Sequence, residues 1–391
     1  MKIFKFTAFA ILLVLVWLSF LLGFKNTCND PKVLDYGQRQ LCWYKKIKVE
    51  MDKRGIKSAL KLLGVLYRKY SSFAGSCHDV THLIGKQAYL EYKEGKNFNF
   101  PEETSWCGYG FYHGFIETML SGSRGYSEAR NFCESVNKNA VGNIVAPIAI
   151  YSCYHGIGHA TFDNHDPKIV SDAEVMIKPA IAKCEDVTVG LEFEKTKQCV
   201  TGVFNSLANA YGTGSYGLKM SDLDPVDICR IQDAKYRKYC FIEVSMAWIN
   251  IKMGNYDFKF TDGARFVENI GDAEGEKGAI NALASEYGHL HQNFLSDTEL
   301  INNCRSVKTD LFESCMYGNL LAILNWGTPG VEYKRAIAFC GSDKLSDQEK
   351  NSCYTYIFKN IPTHYSNNKM ALICPTAPKK YRALCVNHGQ P

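Results

Sequence analysis

The sequence has 16 cysteines but no CxxC pair. That excludes a zinc ribbon, a thioredoxin-type dithiol and a c-type haem attachment, each of which needs two cysteines three positions apart. There is no P-loop, no Gly-rich turn set between a strand and a helix, and no G-x-S-x-G. The phosphate-cradling loops and the nucleophile elbow are therefore lacking. No long basic run or low-complexity tract occurs, and the 45 basic and 40 acidic residues are spread along the chain. This reads against nucleic acid as a partner, because phosphate binding usually leaves a basic stripe. Alternating strand-like stretches are scarce. No histidine precedes His78 and no cysteine precedes Cys28.

The first segment contains no charge between Phe6 and Phe24 (24 − 6 + 1 = 19 residues). At 1.5 Å rise per residue such a run spans roughly the ~30 Å of a bilayer's hydrocarbon core. Lys2 and Lys5 precede it and Lys25 follows. The positive-inside rule then predicts a cytoplasmic tip at 1–5, a transmembrane signal-anchor at 6–24, and an extracytoplasmic remainder that is periplasmic, extracellular or lumenal. A cleaved signal peptide fits less well, since the run is long for one and lacks a small-x-small cleavage site. Export agrees with the cysteines, all of which lie beyond the run in an even number.

Taken in order, the cysteines form eight pairs: Cys28 with Cys42, Cys77 with Cys107, Cys133 with Cys153, Cys184 with Cys199, Cys229 with Cys240, Cys304 with Cys315, Cys340 with Cys353, and Cys374 with Cys385. The second member often stands three residues before a glycine, as in CGYG, CYHG, CVTG and CMYG. Segments such as Ile56, Leu60, Leu63, Tyr67 turn their apolar residues to one side at helical spacing. Ser171 to Glu174, Ser296 to Glu299 and Ser346 to Glu349 read as capping boxes, and Asp224-Pro225 as a helix start. The expected fold is all-α: a stack of antiparallel helix pairs, solenoid-like, each clipped by a local disulfide. A bridge closing ten to fifteen residues contributes on the order of 3 kcal/mol in the chain-entropy model. The domain reading is a linker with the first cysteine pair at 25–53, a His-rich helical domain at 54–166 and cysteine-stapled repeats at 167–391. In plan this resembles the secreted cysteine-rich helical-repeat proteins that also staple each helix pair. The spacing here is longer and more variable, and no functional residue carries over from that resemblance.

Chemistry concentrates in the His-rich part, where six of the ten histidines lie between His78 and His165. Three i,i+4 pairs stand there: His78 and His82 in CHDVTHLIG, His113 and Glu117 in GYGFYHGFIE, and His155 and His159 in YSCYHGIGH. Residues four apart share a helix face, so each pair presents two donors to one side. The six residues are expected to ligate a transition metal (Zn, Fe, Cu or Mn), as one ion or two closely spaced ones. Asp79, Asp163 and His165 are expected to support them, with Tyr112 and Tyr154 lining the pocket. Gly114, Gly156 and Gly158 would let neighbouring helices approach closely. The sequence thus predicts a membrane-anchored metal-dependent enzyme, hydrolytic or oxidative. The alternatives are a metal-binding or sensing protein, or a disulfide-stapled scaffold with a structural histidine network. The expected partners are the membrane, through the N-terminal helix, and a protein or peptide on the repeat surface.

Overall fold

The computed structural model describes residues 28, 36–70, 73, 77–96, 100–121, 125–136, 148–164, 171–253, 258–291, 295–328, 330–365 and 367–388. Among these there is no strand; the chain is helical throughout. Tyr36–Arg54 (α1) and Ile56–Lys69 (α2) form a hairpin about Gly55, whose φ of 81° suits a residue without a Cβ. The span 36–53 is therefore helix, although it reads from sequence as part of a linker. Next come Cys77–Lys93 (α3), Gly110–Leu120 (α4), Tyr126–Ser135 (α5), Ile148–Asp163 (α6), Ala173–Val187 (α7) and Phe193–Thr213 (α8). They are followed by Asp227–Arg230 (α9), Ala234–Met253 (α10), Phe260–Val267 (α11), Ala273–His291 (α12), Asp297–Arg305 (α13) and Phe312–Trp326 (α14). The last are Glu332–Cys340 (α15), Asp347–His364 (α16), Asn367–Ile373 (α17) and Arg382–His388 (α18).

The heaviest packing runs through one succession, α3 on α4, α4 on α6, α6 on α8, α8 on α10, α10 on α12 and α12 on α14. Glycines set how closely these helices approach. A Cβ on Gly85 of α3 would lie 2.0 Å from the Phe111 carbonyl oxygen of α4, and one on Gly114 of α4 would lie 2.1 Å from that of His82. Gly158 of α6 and Gly202 of α8 oppose each other's helices in the same way, at 1.9 Å from Cys199 O and 2.0 Å from His155 O. Only a residue without a side chain fits such a crossing, which repays glycine's cost of about 1 kcal/mol in a helix.

The disulfides pair the cysteines strictly in chain order, as their spacing suggests. In the first half Cys28 bonds Cys42, Cys77 bonds Cys107, Cys133 bonds Cys153 and Cys184 bonds Cys199. In the second half Cys229 bonds Cys240, Cys304 bonds Cys315, Cys340 bonds Cys353 and Cys374 bonds Cys385. Cα separations are 5.4–5.6 Å in all eight. Four tie the end of a short helix to the first half of a longer one: Cys133 of α5 to Cys153 of α6, Cys229 of α9 to Cys240 of α10, Cys304 of α13 to Cys315 of α14, and Cys340 of α15 to Cys353 of α16. So dense a set of bridges points to an oxidising, extracytoplasmic compartment. Ser296 and Ser346 make the expected capping boxes. At the third, the cap falls one residue later, on Asp172, whose carboxylate accepts from the Val175 N–H. Among the described residues no helix is long and apolar enough to cross a membrane. The Phe6–Phe24 run lies outside the described residues.

One buried carboxylate stands apart from the histidines. Glu243 of α10 is 7% exposed and accepts a 2.7 Å hydrogen bond from Asn205. Burial, together with the nearby Glu286 charge, raises its pKa from 4.5 to about 7. The folded state thus holds this proton more tightly than the unfolded chain, so the fold loses stability as pH rises from about 4.5 through 7. At 1.36 kcal/mol per pKa unit the loss is on the order of 3 kcal/mol, complete above pH 7. Glu243→Gln is expected to stabilise the protein at pH 8 and to leave it little changed at pH 5. Urea unfolding at the two pH values measures this, and equal effects at both would contradict it.

Candidate metal centre

The three sequence pairs meet. His78 and His82 project from α3, His113 and Glu117 from α4, and His155 and His159 from α6. One ligand atom from each of His78, His82 and His113 lies within 4.8 Å of the other two, a cluster that could hold a metal ion. The His113 ring sits in the middle, with centroids 5.2 Å from His78, 5.3 Å from His82, 4.9 Å from His155 and 5.3 Å from His159. Trp326, at the end of α14, closes one side, edge-on to His78 at 5.9 Å.

Hydrogen bonds fix the tautomers on α3. His78 Nδ1 donates to the Cys107 carbonyl at 2.8 Å, which leaves its Nε2 lone pair facing inward. Cys107 is held for this by the Cys77–Cys107 bridge and by a left-handed turn over Cys107, Gly108 and Tyr109, with φ of 57°, 64° and 63°. Two of those residues carry side chains, and such backbone persists only where its surroundings enforce it. His82 Nδ1 faces the Glu117 carboxylate at 3.3 Å, so its Nε2 also points inward. The two Nε2 atoms are 3.2 Å apart. Two imidazoles bound to one tetrahedral ion at ~2.0–2.1 Å place their nitrogens about 3.3 Å apart, so this spacing fits a shared ion.

Without an ion, a proton must sit between those lone pairs. Burial alone would discharge His82, but the Glu117 hydrogen bond and charge, with Asp79, hold its pKa above the usual value. The other rings are neutral. Burial, reinforced by the surrounding imidazoles, depresses His113 and His155 far below their normal range. Burial and His82 take His78 to about 3, and burial outweighs the Glu117 charge to take His159 to about 4. Burial would raise Glu117, but the hydrogen bond and charge of His82 bring it down to about 2, so it is a fixed anion. Neutral imidazole with an ionised carboxylate is the donor set a divalent metal requires, and an ion taken up here would displace the proton of His82.

Glu117 also links the two halves of the centre, facing His82 with one oxygen and His159 Nδ1 with the other at 3.5 Å. Ser206 of α8 comes within 3.1 Å of the same His159 nitrogen, a partner that sequence spacing does not point to. His113 Nδ1 and His159 Nε2 are buried with no hydrogen-bond partner. Two unsatisfied nitrogens in a buried network cost about 1–3 kcal/mol each unless something fills the site.

The supporting residues divide. Asp79 lies at the edge of the centre, hydrogen-bonded by Gln40 of α1. Tyr112 and Tyr154 do not line the site. Tyr112 bonds Thr104 at 3.1 Å, and Tyr154 donates to Glu134 at 2.8 Å. Each precedes its histidine by one position, about 100° round the helix, and so points into the packing behind it. Asp163 accepts from Tyr216 at 3.0 Å. His165 lies outside the described residues.

A cleft of about 370 Å³ opens beside His82 and Glu117, lined also by Tyr44, Asp79, Lys86 and Thr118. Solvent thus reaches His82 and Glu117, while His113 and His159 are buried behind them. Comparison with known proteins finds no matching family model, no matching curated relative and no matching solved structure.

Proposed function

We propose that this chain is an exported, membrane-anchored helical-repeat protein whose first repeats hold a transition-metal ion, and that the centre is catalytic, of the metal-dependent hydrolase class. The observation that carries the reading is the cluster of His78, His82 and His113, which reaches an open cleft through His82. His78, His82 and His113 would hold one ion, and Glu117, His155 and His159 would complete its shell or bind a second. A bound divalent ion would polarise a substrate oxygen and acidify water beside it. Where Glu117 is not itself a ligand, its ionised carboxylate at the cleft wall would accept a proton from such a water, and Lys86 would meet an anionic group. The succession of packed long helices, all but α12 stapled locally, supports the repeat reading, and the Phe6–Phe24 run supports the anchor.

Elemental analysis of the full chain, purified without chelators, is expected to find about one to two equivalents of transition metal. Finding none would end the metal reading. A second reading, a closed metal store or sensor, draws on the six donors, enough to saturate an ion. Cobalt(II)-substituted protein separates the two. With an open position, added azide shifts the visible spectrum; an unchanged spectrum marks a closed shell and sinks the enzymatic reading.

A further inference from the structure

The α1–α2 hairpin concentrates the chain's positive charge. Residues 36–70 hold ten basic side chains against two acidic ones, a balance of +8 in a chain whose total is +5, so the rest sums to −3. Even mixing of charge, as the whole-chain count implies, does not hold here. The two acids are engaged locally, Asp52 with Lys48 and Glu50 with Arg54, and none of these four residues lines the groove between the helices.

That groove, about 660 Å³ in volume, is apolar along its floor and rimmed by lysines. From α1 it takes Cys42, Lys45, Lys46 and Val49, and from α2 Leu62, Val65, Leu66 and Lys69, each set at i, i+3, i+4, i+7. Such spacing gives each helix one continuous face. Val49 and Val65 stand 50% and 51% exposed. The Lys46 and Lys69 ammonium groups sit over the Trp43 and Tyr70 rings at 5.5 and 5.3 Å, their stems lying along apolar surface. An apolar floor, the Tyr70 ring at its edge and a basic rim make the pattern of a surface that lies on anionic lipid.

The covalent structure places this face. Cys42 in the groove is bonded to Cys28, and Cys28 follows the apolar run by four residues, 28 − 24. Four residues of chain reach no further than about 14 Å, so, resting on the anchor reading proposed above, the groove stands near the membrane. We infer that the α1–α2 groove docks on the headgroups of an anionic phospholipid bilayer, seating the folded domain on the membrane rather than leaving it on a loose tether. The net charge selects this occupant over the charge-free run folding back, which would leave the lysine rim unanswered. Gln40 and Tyr44, on the opposite side of α1, face Asp79 and the metal cleft, so docking leaves that cleft turned away from the headgroups and open to solvent.

The test uses the full chain in nanodiscs of pure phosphatidylcholine, in nanodiscs containing phosphatidylglycerol, and in detergent. Surface amines are acetylated with a water-soluble reagent and read by peptide mass spectrometry. The expected result is a severalfold fall in labelling of Lys45 and Lys69 on the rim, and of the exposed Lys61 one turn before Val65 on α2, in the phosphatidylglycerol discs alone. High salt should reverse the fall, while Lys183 and Lys344 stay unchanged. Equal labelling in both lipids would overturn the proposal. So would equal protection in detergent, which would assign the groove to the chain's own apolar run. In a Lys45→Glu, Lys46→Glu, Lys69→Glu variant, protection of Lys61 should disappear with thermal unfolding unchanged; persistent protection would also overturn the proposal.

Discussion

Replacing His113 with alanine is expected to empty the metal centre while leaving the fold standing. Among the five histidines of the centre, this ring alone lies within ring-contact distance of all the others, so its loss opens the shell from the middle. Supporting partners of metal ligands already change affinity by about 10–100-fold when removed, and a ligand at the centre should exceed that. The fold should survive because His113 contributes little to it as a hydrogen-bonding group. Its Nδ1 is unpartnered, and the Cys77–Cys107 and Cys133–Cys153 bridges hold α3, the α4 turn and α6 from outside the centre. Thermal unfolding with and without added zinc gives the readout. The wild type should gain stability with metal as RT ln(1 + [L]/Kd), about 2.7 kcal/mol at a hundredfold excess over Kd. The variant should gain almost nothing. If the histidines were a structural network, the pattern would invert: the variant would unfold more easily, and zinc would stabilise neither protein.

Much of this arrangement is legible in the sequence. The cysteine pairing, down to Cys374 with Cys385 at the C-terminal end, follows from order along the chain, because a local clip suits helices that pack mainly on their sequence neighbours. The donor pairs follow from i,i+4 spacing, which fixes a common face whatever the tertiary fold. What one helix cannot reveal is where its other residues point. Tyr112 and Tyr154 look like pocket residues because they adjoin histidines, yet one step along a helix is a turn of about 100°. Ser206 and Trp326 reach the histidines from α8 and α14, and the Cys107 carbonyl does so from a left-handed turn. No spacing rule joins these positions to the site. The basic hairpin is hidden in a different way. Its charge is countable in the sequence but vanishes in a whole-chain balance, and only the helix pairing puts Lys45, Lys46 and Lys69 along one groove.

The glycines that let α6 and α8 meet provide a second large effect and an internal control. In Gly202→Ala the new Cβ would lie 2.0 Å from the His155 carbonyl oxygen; in Gly158→Ala it would lie 1.9 Å from that of Cys199. Both obstacles are backbone within helices, so relief requires the helices to separate rather than a side chain to rotate. Overpacking a core costs about 1–3 kcal/mol when side chains can yield. Each of these substitutions should reach or exceed the top of that range. Their effects should not add, since the first substitution makes the gap that the second would need. Gly212 lies on the same helix α8, and a methyl group there would meet nothing within 4 Å. Gly212→Ala is expected to stabilise by about 0.4–1 kcal/mol through the unfolded chain. Urea unfolding with the disulfides intact tests all three variants. Because the Gly202 contact is to His155 itself, the same separation should carry His155 and His159 away from His113. Gly202→Ala should therefore weaken metal binding without altering any donor, and metal retained at wild-type affinity would place the essential ligands on α3 and α4 alone.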